Sequence, residues 1–435
     1  MARQPRYVPL NVYLNSRLVG QLRRDPAGAI SFQYDADWLA WPPTLPVSLS
    51  LPLREAAYTG TPVLAVFDNL LPDNGELRRR IAARTQAEGI DAYSLLNAIG
   101  RDCVGALQFL PPDIDPGQAG AINGAPISKG EISAMLANLA TSPLGIGEDE
   151  EFRISVAGAQ EKTALLYWNR RWLKPHGTTA TTHIFKPSIG QLPNGLDLTH
   201  SVENEYLCLK LLAAIGLPAA KAQMTTYGER RVLIVERFDR LWTQDGRLLR
   251  LPQEDCCQAL SVVPSRKYQS DGGPGIEAIL QLLRGSDNPA EDQRTFLKAA
   301  IAFWLLGATD GHAKNFSVFL LPGGRYQTTP LYDVISAQPS VDAKQIRHNQ
   351  FRLAMAVGDN RHYIMKTIAP RHFIQTADRA GIGEEVVDSI FDELRGTAER
   401  AIDREAAKLP NGYPMAVAES IISGMKRRLR AIRTG

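Results

Sequence analysis

Asp310-Gly-His-Ala-Lys-Asn315, followed by Tyr332-Asp333, constrains this chain more than any other stretch. An aspartate, an asparagine in the same loop and a second aspartate downstream form the order used where a hydroxyl attacks a nucleotide phosphate. The first Asp receives the hydroxyl's proton, while the Asn and the second Asp hold magnesium against the phosphates. Mg²⁺ is a small, hard cation that demands oxygen ligands, and a carboxylate and an amide supply them. Side chains this far apart in sequence meet only if the chain folds around a shared cleft. The D-x-x-x-x-N spacing alone arises by chance, so its weight comes from what surrounds it.

Upstream lies Ser155-Val-Ala-Gly-Ala-Gln-Glu-Lys162. The small residues Ala157, Gly158 and Ala159 let backbone N–H groups approach an anion, with Gln160 and Glu161 leading to Lys162, which adds charge. The segment is not a Walker A loop, because the G-x-x-x-x-G-K-[ST] spacing is missing. Taken alone it reads equally well as a tight turn between strands. Thr182-His-Ile-Phe-Lys186 is a short strand pattern ending in a lysine, the usual grip on α and β phosphates. In isolation a solvated strand-end lysine is as good a reading. The next segment decides between them. Val202, Glu205, Leu209 and Leu212 recur at helical spacing, which places one carboxylate on an apolar stripe. A buried carboxylate needs a cation, and Lys186 is the candidate partner of Glu205, with Glu203 the alternative acid off the stripe. Arg231–Asp239 then reads as a buried strand entering a polar crossing. Glu236, Arg237 and Phe238 are placed there to meet a base edge and ring face, although an ordinary core strand would look much the same.

At 435 residues, with Lys plus Arg 49 against Asp plus Glu 46, the chain can bury more than one core and is nearly neutral. That charge argues against coating nucleic acid. Cys103, Cys208, Cys256 and Cys257 lack C-x-x-C spacing and read as reduced packing residues. The histidines have no metal-ligand spacing, and neither H-E-x-x-H nor G-x-S-x-G occurs. No signal peptide or membrane span is evident, so a soluble cytoplasmic protein is expected. Strands are expected at Leu10–Leu14, Ile30–Tyr34, Val47–Leu51 and near Val104–Leu110, with helices around Val63–Leu71, Gly75–Arg84 and Ala92–Ile99. The turn-rich Pro111–Gly120 is the best linker, Ser128-x-x-Glu131 a capping box opening a short helix, and Gly145–Glu151 a loose acidic stretch. A buried helix at Ala299–Ala308 delivers Asp310. The last helix carries Val417, Ile421, Met425, Leu429 and Ile432 on one face. Expected boundaries are 1–110, a linker with a short helix over 111–150, and 151–435 with a helical lobe from about 255.

These segments together resemble the HipA family of bacterial serine/threonine kinase toxins. The likeness rests on Ser155–Lys162, His183-Ile-Phe-Lys186, Val235-Glu-Arg-Phe-Asp-Arg240, Leu251-Pro-Gln-Glu-Asp255, Asp310–Asn315 and Tyr332-Asp333, with Phe67-Asp-Asn-Leu-Leu-Pro-Asp73 and Gly100–Ala106 further upstream. It spans nearly the whole chain in the family's order. The resemblance implies an α+β protein: an N-terminal domain with a small β-barrel-like portion, and a two-lobed, protein-kinase-like domain with a helical C-terminal lobe. It implies ATP and Mg²⁺ as cofactors and phosphorylation of serine in a protein, glutamyl-tRNA synthetase in the best-known members, leading to growth arrest and persistence. By matching motif, Asp310 is the base, Lys186 the ATP lysine, Asn315 and Asp333 the magnesium ligands, and Ser155 the autophosphorylation site. His312, Ala313, Lys314 and Tyr332 complete the nucleotide set, with His312 placed in the loop either to orient Asp310 or to contact phosphate. Phosphate on Ser155 would add roughly −1.5 to −2 charges beside the ATP loop and push it out. The implied partner is a HipB-like helix-turn-helix antitoxin that carries the operator DNA contacts. Relatives place basic residues after Pro370–Phe373, where this chain has Ala377-Asp-Arg-Ala-Gly381 with Arg379 the sole cation. The closing run Lys426-Arg-Arg-Leu-Arg430 is a substitute for them, or else the solvated last turn of a helix. A catalytically silent co-repressor and a small-molecule kinase are the alternative functions.

Overall fold

The computed structural model describes residues 7–146, 152–158 and 160–434. Ala159 and most of the acidic stretch after Gly145 therefore lie outside the described residues. The expected strands Leu10–Leu14 and Ile30–Tyr34 form as read, separated by Arg17–Arg24, and Leu107–Leu110 closes the other side. Together with Tyr58–Thr59 they make a five-stranded sheet in the order Tyr58–Thr59, Ile30–Tyr34, Arg17–Arg24, Leu10–Leu14, Leu107–Leu110. Every neighbouring pair is antiparallel. Its end strands do not pair with each other, so the barrel-like portion is an open sheet.

Val47–Leu51 is not a strand. Its alternation comes from two kinds of contact. Val47 and Leu51 enter the core, while the Ser48 and Ser50 hydroxyls reach the Gln258 carbonyl and the Leu49 N–H donates to Glu254. The helices Thr61–Asp68 and Ala92–Ile99 pack on this sheet and Gly75–Thr85 packs on Ala92–Ile99, with Asn74 and Asp91 capping the last two by their side chains.

The second sheet is six-stranded, in the order Ala222–Tyr227, Arg230–Glu236, His183–Pro187, Thr163–Trp168, Arg171–Pro175, Gly124–Pro126. The segment read as a linker thus supplies an edge strand, Gly124–Pro126, and the helix Lys129–Ala137, whose Ser128/Glu131 capping box is formed. Helix Ser201–Ala214 packs on this sheet. Val202, Glu205, Leu209 and Leu212 are buried as expected, and Glu203 is buried too, because the helix is covered on more than one side.

A three-stranded antiparallel sheet (Gln253–Asp255, Ser317–Leu321, Arg325–Thr328) lies beside the long helix Pro289–Leu306. The helical C-terminal part follows, with Pro370–Arg379, Glu384–Ala406 and Met415–Thr434. On the last helix, Val417, Ile421, Met425, Leu429 and Ile432 are all buried. One continuous apolar cluster runs from Leu10 and Phe109 of the N-terminal sheet through Leu209 and Leu305 to Ile432. Among the described residues no helix is long and apolar enough to cross a membrane.

Candidate active site

Lys186 sits on the inner strand His183–Pro187, in register with Leu233. Its ammonium donates to Glu205 Oε1 at 2.7 Å and to Asp333 Oδ1 at 2.9 Å. Burial favours the neutral lysine, but Asp333 and Glu205 outweigh it and raise its pKa. Asp333 is held well below the usual carboxylate range: burial opposes this, and Lys186 and Lys162 overcome it. It adopts φ 58°, a left-handed conformation that non-glycine residues rarely take and that clusters at functional sites. Two residues earlier, Leu331 donates to the Pro218 carbonyl and accepts from the Ala220 N–H, which ties this stretch to the segment ahead of strand Ala222–Tyr227.

Asp310 follows the end of the long helix. Gly307 closes that helix at φ 71°, and a Cβ on Gly311 would lie 2.4 Å from the Phe303 ring, which explains a glycine at each position. The Asn315 amide nitrogen donates to the Asp310 carbonyl at 2.7 Å, turning its oxygen end toward other use. The Asp310 carboxylate is 61% exposed at the rim and accepts from the Tyr268 hydroxyl at 2.6 Å. His312 Nε2 is 3.8 Å from the same oxygen, too far for a hydrogen bond, and its ring packs edge-on against Tyr268. The orienting role expected of His312 therefore falls to Tyr268.

Lys186, Glu205, Asp310, His312, Asn315 and Asp333 line one cleft, together with Ala157, Gly158, Lys162, Glu236, Phe238 and Tyr332. Gly158 takes φ 108°, and a Cβ there would approach the Lys162 ammonium. Lys162 donates to the Ala157 carbonyl. Burial lowers its pKa to about 8, with Asp333 opposing and Lys186 adding to the shift. Phe238 and Tyr332 lie 5.7 Å apart and pack against the cluster that holds Val235, and together with Val156 and Ile184 they give the cleft its apolar lining.

Several expected nucleotide contacts are engaged elsewhere. Gln160 donates to the Pro187 carbonyl, and Glu161 pairs with Arg80 at 2.6 Å; neither lines the cleft. Ala313 is fully buried beneath it. Arg237 lines the cleft, but its guanidinium is committed to Asp102 and Asp239. Lys314 also lines it, yet its ammonium donates to the Asn69 carbonyl and Oδ1 and pairs with Asp73 at 3.0 Å. Two of its three N–H groups are thus taken by Asn69, and the ion pair with Asp73 ties the ammonium to the N-terminal domain, so this lysine anchors the loop. The Ser155 hydroxyl is fully buried and donates to the Leu70 carbonyl at 2.7 Å.

Sequence reasoning gave no role to Asn69, Asp73, Asp255, Lys267 or Tyr268, all of which meet at or beside the cleft. Asp255 lines it with a pKa raised to about 6 by burial, against the pull of Lys314. Asp73 belongs to a motif segment, but nothing in the spacing says that it pairs across the fold.

The donor set fits one Mg²⁺ held partly by a ligand. Among the described residues no three His, Cys, Asp or Glu side chains gather to hold a metal. Asn315 and Asp333 nevertheless offer hard oxygens in the same cleft, leaving coordination positions for phosphate and water.

Comparison with known proteins gives a consistent picture. Residues 10–110 match the HipA N-terminal domain model and residues 154–402 the HipA-like C-terminal domain model. A Sinorhizobium fredii protein named "Putative kinase Y4mE" is 38% identical over 91% of both chains. The serine/threonine-protein kinase toxin HipA of Shewanella oneidensis is 29% identical, over 80% of this chain and 78% of that one. The solved complex of the Shewanella oneidensis MR-1 toxin–antitoxin system, HipA, HipB and operator DNA, superposes with a TM-score of 0.80 at 26% identity over 98% of each chain.

Proposed function

The chain belongs to the HipA family, and from that premise we propose that it is an ATP-dependent serine/threonine protein kinase and the toxin of a toxin–antitoxin pair. The observation that carries this reading is the convergence of Lys186, Glu205, Asn315 and Asp333 on one cleft with Asp310 at its rim. Lys186 grips the inner phosphates, oriented by Glu205. Asn315 and Asp333 hold Mg²⁺, which when bound draws charge from the phosphate oxygens. Phe238, Tyr332 and the apolar side chains Val156, Ile184 and Val235 that line the cleft with them receive the base, beside Glu236. Asp310 takes the proton of an incoming serine hydroxyl, with Tyr268 fixing one carboxylate oxygen so that the other faces the acceptor.

The exposure of Asp310 favours an acceptor on a protein surface over a metabolite enclosed in the cleft. The intact donor set speaks against a silent co-repressor. We take glutamyl-tRNA synthetase, or another protein of translation, as the substrate, acting in the cytoplasm to arrest growth and produce persistence. Ser155 is the autophosphorylation site. Its hydroxyl is shut from solvent, so a phosphate could be accommodated only if the segment around it left its place. A HipB-like antitoxin is the partner and carries the operator contact. Arg379 is engaged by Glu277 and Asp359, and Lys426 and Arg428 by Asp403, the Leu305 carbonyl and Gln338. These side chains serve the fold, which agrees with DNA being read mainly by the antitoxin.

The test is incubation with labelled ATP and Mg²⁺ in a cell lysate, with phosphosites mapped by mass spectrometry. We expect label on protein serine, falling by about two to four orders of magnitude in Asp310→Asn. Label confined to a metabolite, or unaltered in the variant, would sink the proposal.

A further inference from the structure

Five consecutive residues of the N-terminal domain, Asn69 to Asp73, touch both loops that build the cleft. Leu70 accepts from Ser155, and the Asp73 N–H reaches the Gly158 carbonyl, so the segment backs the small-residue loop. Asn69 takes two hydrogen bonds from Lys314, at 2.8 and 3.0 Å, and its own amide donates to the Ala65 and Val262 carbonyls. Asp73 then divides its carboxylate. Oδ1 lies 3.0 Å from Lys314, in the catalytic loop, and Oδ2 lies 2.7 Å from Lys267. Lys267 is followed by Tyr268, whose hydroxyl bonds Asp310. Arg78 locks the segment from behind through the Pro72 carbonyl and Asp68, both at 2.6 Å.

Asp310 is therefore approached from two sides, and both lead back to one carboxylate. Through Lys314, Asp73 fixes the loop that carries Asp310. Through Lys267, it fixes the backbone from which Tyr268 reaches the Asp310 side chain. Lys314 is buried and Lys267 half-buried, and like charges drawn to one point repel; Asp73 is the anion that both ammonium groups share. Burial works against its charge, yet the two lysines hold its carboxyl below the ordinary value.

We propose that Asp73 is a positioning residue for the catalytic base: an N-terminal-domain carboxylate that sets the Asp310 loop and Tyr268 by pairing with Lys314 and Lys267 together. The proposal rests on the kinase reading above for its kinetic consequence, but not for its structural one. If it holds, the N-terminal domain is a working part of the phosphotransfer site.

The test uses the full chain carrying Asp73→Asn, which keeps shape and removes charge, and Asp73→Glu, which keeps charge on a longer arm. Hydrogen exchange and phosphotransfer kinetics are measured on each. In Asp73→Asn we expect faster exchange confined to peptides covering 263–272 and 308–316. We expect kcat to fall about 100-fold, as misplacement of a reacting group does, while KM for ATP changes less than about threefold. Asp73→Glu should recover part of both. Exchange in those two peptides identical to wild type would overturn the proposal whatever the activity. So would a loss carried wholly by KM for ATP. If the exchange changes as expected but wild-type protein transfers no phosphate, the kinase reading fails and the brace stands. Should Asp73→Asn not fold, Lys267→Met serves in its place: it cuts the Tyr268 arm alone, and unchanged exchange over 263–272 would count against the proposal.

Discussion

The site's chemistry is concentrated in a few buried charges, and Lys162 offers the clearest handle on them. Burial lowers its pKa from 10.5 to about 8 in the free protein, so above that pH it is largely neutral. A bound triphosphate favours the charged form and restores the proton. Nucleotide binding measured just above pH 8 should therefore take up a fraction of a proton, seen in calorimetry as an enthalpy that varies with the buffer's ionisation heat. Lys162→Gln should abolish that variation. A buffer-independent enthalpy in the wild type would show that Lys162 does not face the phosphates. At this scale the sequence was readable wherever a residue type was out of place: Glu205 on an apolar stripe demanded a cation, and Lys186 supplies it. It was unreadable where two ordinary residues meet by folding alone. Nothing marks Tyr268 as the partner of Asp310, or Asn69 and Asp73 as the partners of Lys314, because each pair is remote in sequence.

Among the elements, those with strict period or a cap were legible. Leu10–Leu14, Ile30–Tyr34 and Ala92–Ile99 form at the expected residues, as does the capping box at Ser128. Val47–Leu51 misled because its alternation serves side-chain and backbone contacts to Glu254 and Gln258 in place of a strand partner. That contact has a measurable consequence. Glu254 lies on the strand Gln253–Asp255, and burial raises its pKa from 4.5 to about 8, against the Leu49 N–H and the Ser48 hydroxyl. Between those values the native state keeps a proton that the unfolded chain has released, so stability falls as pH rises from about 4.5 to about 8 and levels off beyond. Glu254→Gln cannot titrate and should flatten that part of a melting temperature series. A slope equal to that of wild type would remove Glu254 from the account.

For the whole molecule, the N-terminal domain and the kinase-like region share more than a border. Asp102 is almost fully buried and accepts from Arg237, Arg240 and Arg250, while Asp239 answers the first two. Removing one partner of such a cluster strands the remaining charges, so Asp102→Asn should cost about 3–5 kcal/mol in urea unfolding. A loss below about 1 kcal/mol, the value of an exposed pair, would mean the cluster is solvated. The sequence suggested separate domains with a linker between them, because composition changes after Leu110. It could not show that residues 124–126 join the second sheet, or that one apolar cluster spans both parts, since these depend on pairings between distant segments. The claim on which everything turns is that Lys186, Asn315 and Asp333 serve one metal–triphosphate. Electron paramagnetic resonance of Mn²⁺, standing in for Mg²⁺, with a non-hydrolysable ATP analogue tests it most directly. We expect tight Mn²⁺ binding that requires the nucleotide and is lost in Asp333→Asn. Binding that ignores the nucleotide, or survives the substitution unchanged, would contradict it.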